Sequence, residues 1–211
     1  MNCRGDDARR YIVQNYNVVP TAHIKLLSGK KIPSDAGGDI TDSYFMFRCE
    51  GRHGLHDEIL YCGRPTAQKL CNMIHRELPP LFDPLKENYR KSYTSGDVGK
   101  SAPIEEKVKW NPERKQLYNA AMLIIAAWNS GPNTPICKVA EAIFDKKFIV
   151  YPPRDGNVKS VNTILTHTNT TMDEIIASLI RKGNDLKDFS FDLVVNHLVR
   201  LGIQQHFCKT E

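Results

Sequence analysis

The pattern of apolar and polar positions changes character twice along the chain. Up to about residue 86, apolar residues come in short runs broken by Pro20, Gly29, Pro33 and Gly37-Gly38, the punctuation of strands and turns. Ile12-Val13 and Val18-Val19 are β-branched pairs, which favour extended backbone. Tyr44 to Cys49 is rich in aromatics and predicts a strand. Ile59 to Cys62 predicts a second strand, and Glu50 to His56 predicts the turn between them. Pro65 suits the first turn of a helix. Ala67, Leu70, Cys71, Ile74 and Leu78 repeat at helical spacing, so Thr66 to Leu78 reads as that helix, ended by Pro79-Pro80.

Residues 87–111 are polar and carry Ser92, Thr94, Ser95, Gly96, Gly99 and Pro103, with few apolar anchors. They read as a linker. The pattern then turns helical. Pro112 opens a helix to about Trp128, and Asn129 to Pro132 closes it. A second helix is predicted over Pro135 to Phe148, with Ile136, Val139, Ala140, Ile143 and Phe144 on one face. A third covers Val158 to His167. Thr171 and Glu174 form a capping-box pattern ahead of a fourth, which ends near Arg181 with Gly183 as its C-cap. Ser190 can cap a fifth, ended by Gly202. The expected fold is α+β. A mixed domain over 1–86 holds a β-hairpin plus helix (44–78), and a bundle of about five helices fills 112–211.

Composition adds exclusions. The 211 residues are 41% hydrophobic and 25% charged, which is ordinary for a globular protein and excludes a collagen, a disordered tail and a coiled-coil rod. The net charge of +5 is spread along the chain, with no basic arm of the kind a phosphate-backbone binder shows. The longest apolar run, Ala120 to Trp128, falls short of the ~18 residues a membrane span needs, so no membrane partner is expected. Met1 to Asp7 has no apolar core and carries acids, so no signal peptide is expected. The expected compartment is the reducing cytoplasm, where the six cysteines serve as free thiols, core residues or metal ligands.

Three of those cysteines and three of the seven histidines fall between Cys49 and His75. Cys49 and His53 lie in the predicted hairpin turn, and Cys71 and His75 lie one helical turn apart. A strand rising about 3.3 Å per residue and a helix returning about 1.5 Å per residue bring His75 back toward the turn. Those four side chains could close a tetrahedral zinc site, with His56 as the alternative to His53. The order of strand, knuckle, strand and helix resembles a ββα zinc finger. It departs from that pattern in its 17-residue central spacer and its Cys-His-Cys-His ligand order. The competing reading places Cys71 on the apolar face of its helix as a small hydrophobe.

Asp39, Glu50 and Arg52 flank the first strand of the hairpin. The arrangement resembles nucleases of the PD-(D/E)xK type, in which two carboxylates hold Mg²⁺. Arg52 stands where that pattern has Lys, and a guanidinium does not readily give up a proton. His56-Asp57 is a weaker acid–base pair, since neighbours on a strand face opposite ways. Ser95 to Ser101 echoes the end of a P-loop but lacks the strand and helix that would build one. Val158–His167 and Met172–Arg181 have helix-turn-helix spacing, with acids where a reading helix meets bases. The aromatic residues, Phe148 and Trp128 among them, are expected to pack within the bundle.

The leading expectation is an intracellular, zinc-stabilised binding module for nucleic acid or a protein partner. The first alternative is a Mg²⁺-dependent nuclease using Asp39 and Glu50. The second is a protein-interaction subunit docking through its helical domain, which requires an exposed apolar patch there.

Overall fold

Strands and helices alternate in the N-terminal half of the protein and helices alone fill the C-terminal half, in a computed structural model that describes residues 1–86 and 110–208. The order is α1 (Asp6–Asn15), β1 (Tyr16–Lys25), β2 (Ile32–Pro33), β3 (Asp39–Ile40), β4 (Ser43–Gly51), β5 (Glu58–Cys62), α2 (Arg64–Met73) and β6 (Leu81–Phe82). Then follow α3 (Pro112–Trp128), α4 (Pro135–Phe144), α5 (Asp155–His167), α6 (Met172–Arg181) and α7 (Asp192–Arg200). The fold class is therefore α+β, as its pattern predicts. Most of the expected linker, and the P-loop-like segment Ser95–Ser101, lie outside the described residues.

The chain divides into two compact units, neither continuous in sequence. The first takes Met1–Asp83 and Ala121–Glu141, and the second takes the described residues of Pro84–Ala120 and Ala142–Glu211. In the first, the predicted hairpin forms as antiparallel β4 and β5, with Phe45 opposite Cys62 and Phe47 opposite Leu60. The strand order is β5-β4-β1-β6. Pro20 cannot donate to the ladder, and the β1–β4 register slips between Pro20 and Ala22, a bulge that lets the long strand continue. One sheet face buries Val18, Phe45, Phe47, Cys49, Leu60 and Cys62 against Ile12 of α1 and Leu70 and Cys71 of α2. Tyr44 and Met46 on the other face are buried too, which is why this strand reads as a nearly continuous apolar run.

The same unit shows why residues 121–141 belong with the sheet and not with the expected helical domain. Arg48 forks onto Glu141 at 2.9 and 3.4 Å, and Lys30 Nζ reaches Asn129 Oδ1 at 3.1 Å. Gly131 lies so close to Ile59 and Tyr61 that a Cβ there would stand 3.5 and 3.6 Å from their side chains.

Two elements differ from their expected form. Ile12-Val13 sit in α1 and not in a strand. Asp6 and Asp7 in its first turn favour the helix, and Ile12 reaches the core from it. α2 stops at Met73, short of Leu78, because His75 takes a left-handed φ of 52° and Arg76 N–H closes onto the Cys71 carbonyl at 3.0 Å.

In the second unit, Val158, Val161 and Leu165 of α5, Met172, Ile175 and Leu179 of α6, and Val194 and Leu198 of α7 are fully or nearly fully buried. The Thr171–Glu174 capping box forms in both directions, and Gly183 takes the left-handed conformation that ends α6.

Candidate docking surface

The stretch from Lys146 to Arg154 follows α4 and precedes α5, and its shape comes from local hydrogen bonds. α4 ends at Phe144 in a chain of tight turns, with Lys146 N–H on Ile143 O, Lys147 N–H on Phe144 O and Ile149 N–H on Lys146 O. Pro152 and Pro153 have no N–H to extend a strand or helix. Between these limits Phe148, Ile149, Val150 and Tyr151 stand 68%, 40%, 76% and 75% exposed. Four adjacent apolar side chains in solvent are unusual for a globular surface, where exposed large apolar residues are normally scattered. Phe148 thus leaves the bundle that the sequence pattern assigns it to, and Trp128 is also partly exposed.

The ridge is held from beneath. Asn111 Nδ2 donates to the Val150 carbonyl at 2.8 Å. Arg114 Nη2 donates to the carbonyls of Tyr151 and Pro152 at 3.0 and 2.9 Å. Arg114 is 2% exposed and sits beside Glu113, but its Nε and Nη1 have no hydrogen-bond partner among the described residues. Burial pulls its pKa down, while Glu113 acts in the opposite direction. Trp110, Tyr118 and Phe144 form an aromatic cluster with ring centroids 5.1 to 6.2 Å apart. Lys147 Nζ lies 4.0 Å above Phe144 and 5.0 Å above Phe148. No carboxylate occurs from Lys146 to Arg154, which carry three cations.

A second polar feature flanks the ridge. His197 of α7 is buried, with Nδ1 bonded to Glu113 of α3 and Nε2 3.1 Å from Asp155 Oδ1 of α5. Arg200 adds a cation 3.6 Å from the other Glu113 oxygen. A carboxylate thus faces each of the two ring nitrogens. The bridge joins the first turns of α3 and α5, which stand on either side of the ridge in sequence. Sequence reasoning has no access to it, because its members lie 84 and 42 residues apart.

The expected zinc ligands are not gathered. Cys49 and Cys71 are both fully buried in one apolar core, with Cys3 and Cys62, while His53 and His75 are exposed at left-handed backbone positions. Burial pushes the Cys49 thiol up to about 12 and the Cys71 thiol up to about 11. His56 is exposed as well. Among the described residues no group of three or more His, Cys, Asp or Glu is placed to hold a metal ion. Nor are the proposed Mg²⁺ ligands brought together. Asp39 of β3 pairs with Lys31 at 2.9 Å, whereas Glu50 of β4 takes Arg48 at 2.9 Å and Asn17 at 2.8 Å, and Arg52 is exposed. Asp57, proposed beside His56, accepts the Gly51 N–H at 3.0 Å. On α6, Asp173 and Glu174 line an open groove of about 520 Å³ with Thr170, Ala177 and Arg181, so its first turn presents acids.

Fold and surface together define an α+β protein that presents a clamped apolar ridge. The chain belongs to the family described as uncharacterised conserved protein UCP028583, whose model matches residues 1–205. No curated protein matches it, and no solved structure does. Among the described residues no helix is long and apolar enough to cross a membrane.

Proposed function

We propose that this protein is a non-enzymatic binding module that docks onto a partner surface through Phe148–Tyr151. The observation that carries the reading is the coincidence of exposure and order: four apolar side chains in solvent on a backbone that Asn111 and Arg114 hold in place. A ridge that is already ordered loses little conformational entropy when it binds. An exposed apolar patch of this kind supports the interaction-subunit reading of the sequence. A nucleic-acid partner draws support from the overall +5 charge alone.

The test is a photo-cross-linking residue placed at Val150 in producing cells, with one at exposed Lys159 on α5 as control. Docking gives discrete adducts from position 150 that position 159 does not give. Matching patterns from the two positions, or no adduct from either, would overturn the reading.

A further inference from the structure

We infer that the surface met by the ridge is an anionic lipid bilayer, entered to headgroup depth; the inference rests on the docking reading above. Three observations select this occupant. The apolar side chains include two aromatics, and Tyr151 carries a hydroxyl suited to the boundary between hydrocarbon and water. The charges nearest the ridge have one sign. Lys146 and Lys147 precede the ridge and Arg154 follows it, with long side chains that can hold their charges at headgroup level. Asp145 and Asp155 bracket the segment, and Asp155 is engaged by His197.

The third observation concerns the backbone. A strand edge or a peptide groove recognises main-chain groups, so a ridge built for such a partner would leave its carbonyls open. Here the carbonyls of Val150, Tyr151 and Pro152 are already bonded to Asn111 and Arg114, the Ile149 N–H is bonded to Lys146, and the two prolines have none. Hydrocarbon offers no hydrogen bonds, so each of these groups that is already paired lowers the cost of entering the headgroup boundary. The ridge needs no spanning helix. It would act as an interfacial anchor whose binding sums buried apolar area and attraction to anionic lipid.

The experiment is flotation of the full chain with phosphatidylcholine vesicles, with and without phosphatidylserine. Wild-type protein should float with the serine-containing vesicles, and less so as salt rises. Lys146→Glu and Arg154→Glu should each weaken binding about fivefold or more, from roughly 1 kcal/mol per surface cation. Val150→Asp, at a position 76% exposed, should melt like wild type and bind at least about tenfold more weakly. As an independent reporter, Val150→Trp should shift its emission to the blue on anionic vesicles only.

Wild type that stays unbound with both vesicles, or Val150→Asp that floats like wild type, would overturn the inference. A Val150 cross-link to one protein without vesicle binding would sink the bilayer and leave docking standing. Failure of both experiments would remove docking itself.

Discussion

Arg114, at the start of α3, donates from Nη2 to the Tyr151 carbonyl at 3.0 Å, so a nearly inaccessible guanidinium holds a loop whose own side chains are in water. The same nitrogen reaches Pro152, while Nε and Nη1 have no partner among the described residues. An arrangement that leaves a buried cation half satisfied is costly to the fold, and its effect is to fix the ridge.

Arg114→Met should therefore separate order from stability. The two charge-assisted bonds are lost, but so is the burden of a desolvated cation, and the net change in stability should stay within about 2 kcal/mol. Amide exchange over residues 148–151 should speed up clearly. Exchange mass spectrometry checks this, and unchanged protection there would refute the clamp.

His197→Ala should behave differently. Glu113 is nearly buried, and removing the imidazole leaves its carboxylate, among the described residues, with Arg200 at 3.6 Å. Breaking a buried pair from one side costs about 3 kcal/mol. His197→Ala paired with Glu113→Gln should cost less than the sum of the single changes, which a double-mutant cycle in urea measures. Strict additivity would mean that the two groups do not interact.

Much of the fold was legible because its signals are local. The hairpin of β4 and β5, the helix opened by Pro112 and the Thr171–Glu174 cap each depend on residues a few positions apart. What was not legible depends on distant partners. Nothing in Ile12-Val13 announces a helix, since the face that decides it is supplied by the sheet. Arg48 and Glu141 draw residues 121–141 into the first unit from 93 positions away. The chain reversal does bring Cys49 and Cys71 into one core, but helix α2 ends early and both histidines face solvent. The ridge left a mark that periodicity disguises: Phe148 continues the helical register of α4, although the Pro-Pro pair just beyond it signals a loop.

His23 sets a pH dependence. Burial, with help from Arg64, lowers its pKa to about 4, while a bond to the Pro79 backbone and the charge of Asp42 act in the opposite direction. The ring stacks on Phe45 at 3.7 Å. The unfolded chain thus takes up a proton near pH 6.5 that the folded chain refuses until about 4, so stability falls as pH drops through that window. The loss should reach about 2 kcal/mol after allowance for solvent screening. Melting curves from pH 7 to 4, compared with His23→Gln, check it. The variant should lose this part of the acid sensitivity, and identical slopes would assign the effect elsewhere.

The buried thiols separate a core role from a ligand role. Cys49 and Cys71 have no exposed surface, and burial keeps their protons on well above neutral pH. A ligand would make Cys49→Ser and Cys49→Ala equally damaging, since neither supplies sulfur, and a chelator would lower the melting temperature of the wild type. A core thiol predicts another order. Serine places a hydroxyl in an apolar pocket at a cost of about 2 kcal/mol, while alanine leaves a small void at about 1 kcal/mol. Chelator should then leave wild-type melting unchanged. Thiol reagents on the native protein should modify half-buried Cys208 before Cys3, Cys49, Cys62, Cys71 or Cys137. Chelator-sensitive melting together with equal serine and alanine costs would restore the metal site, through a rearrangement that brings His53 and His75 to the sulfurs.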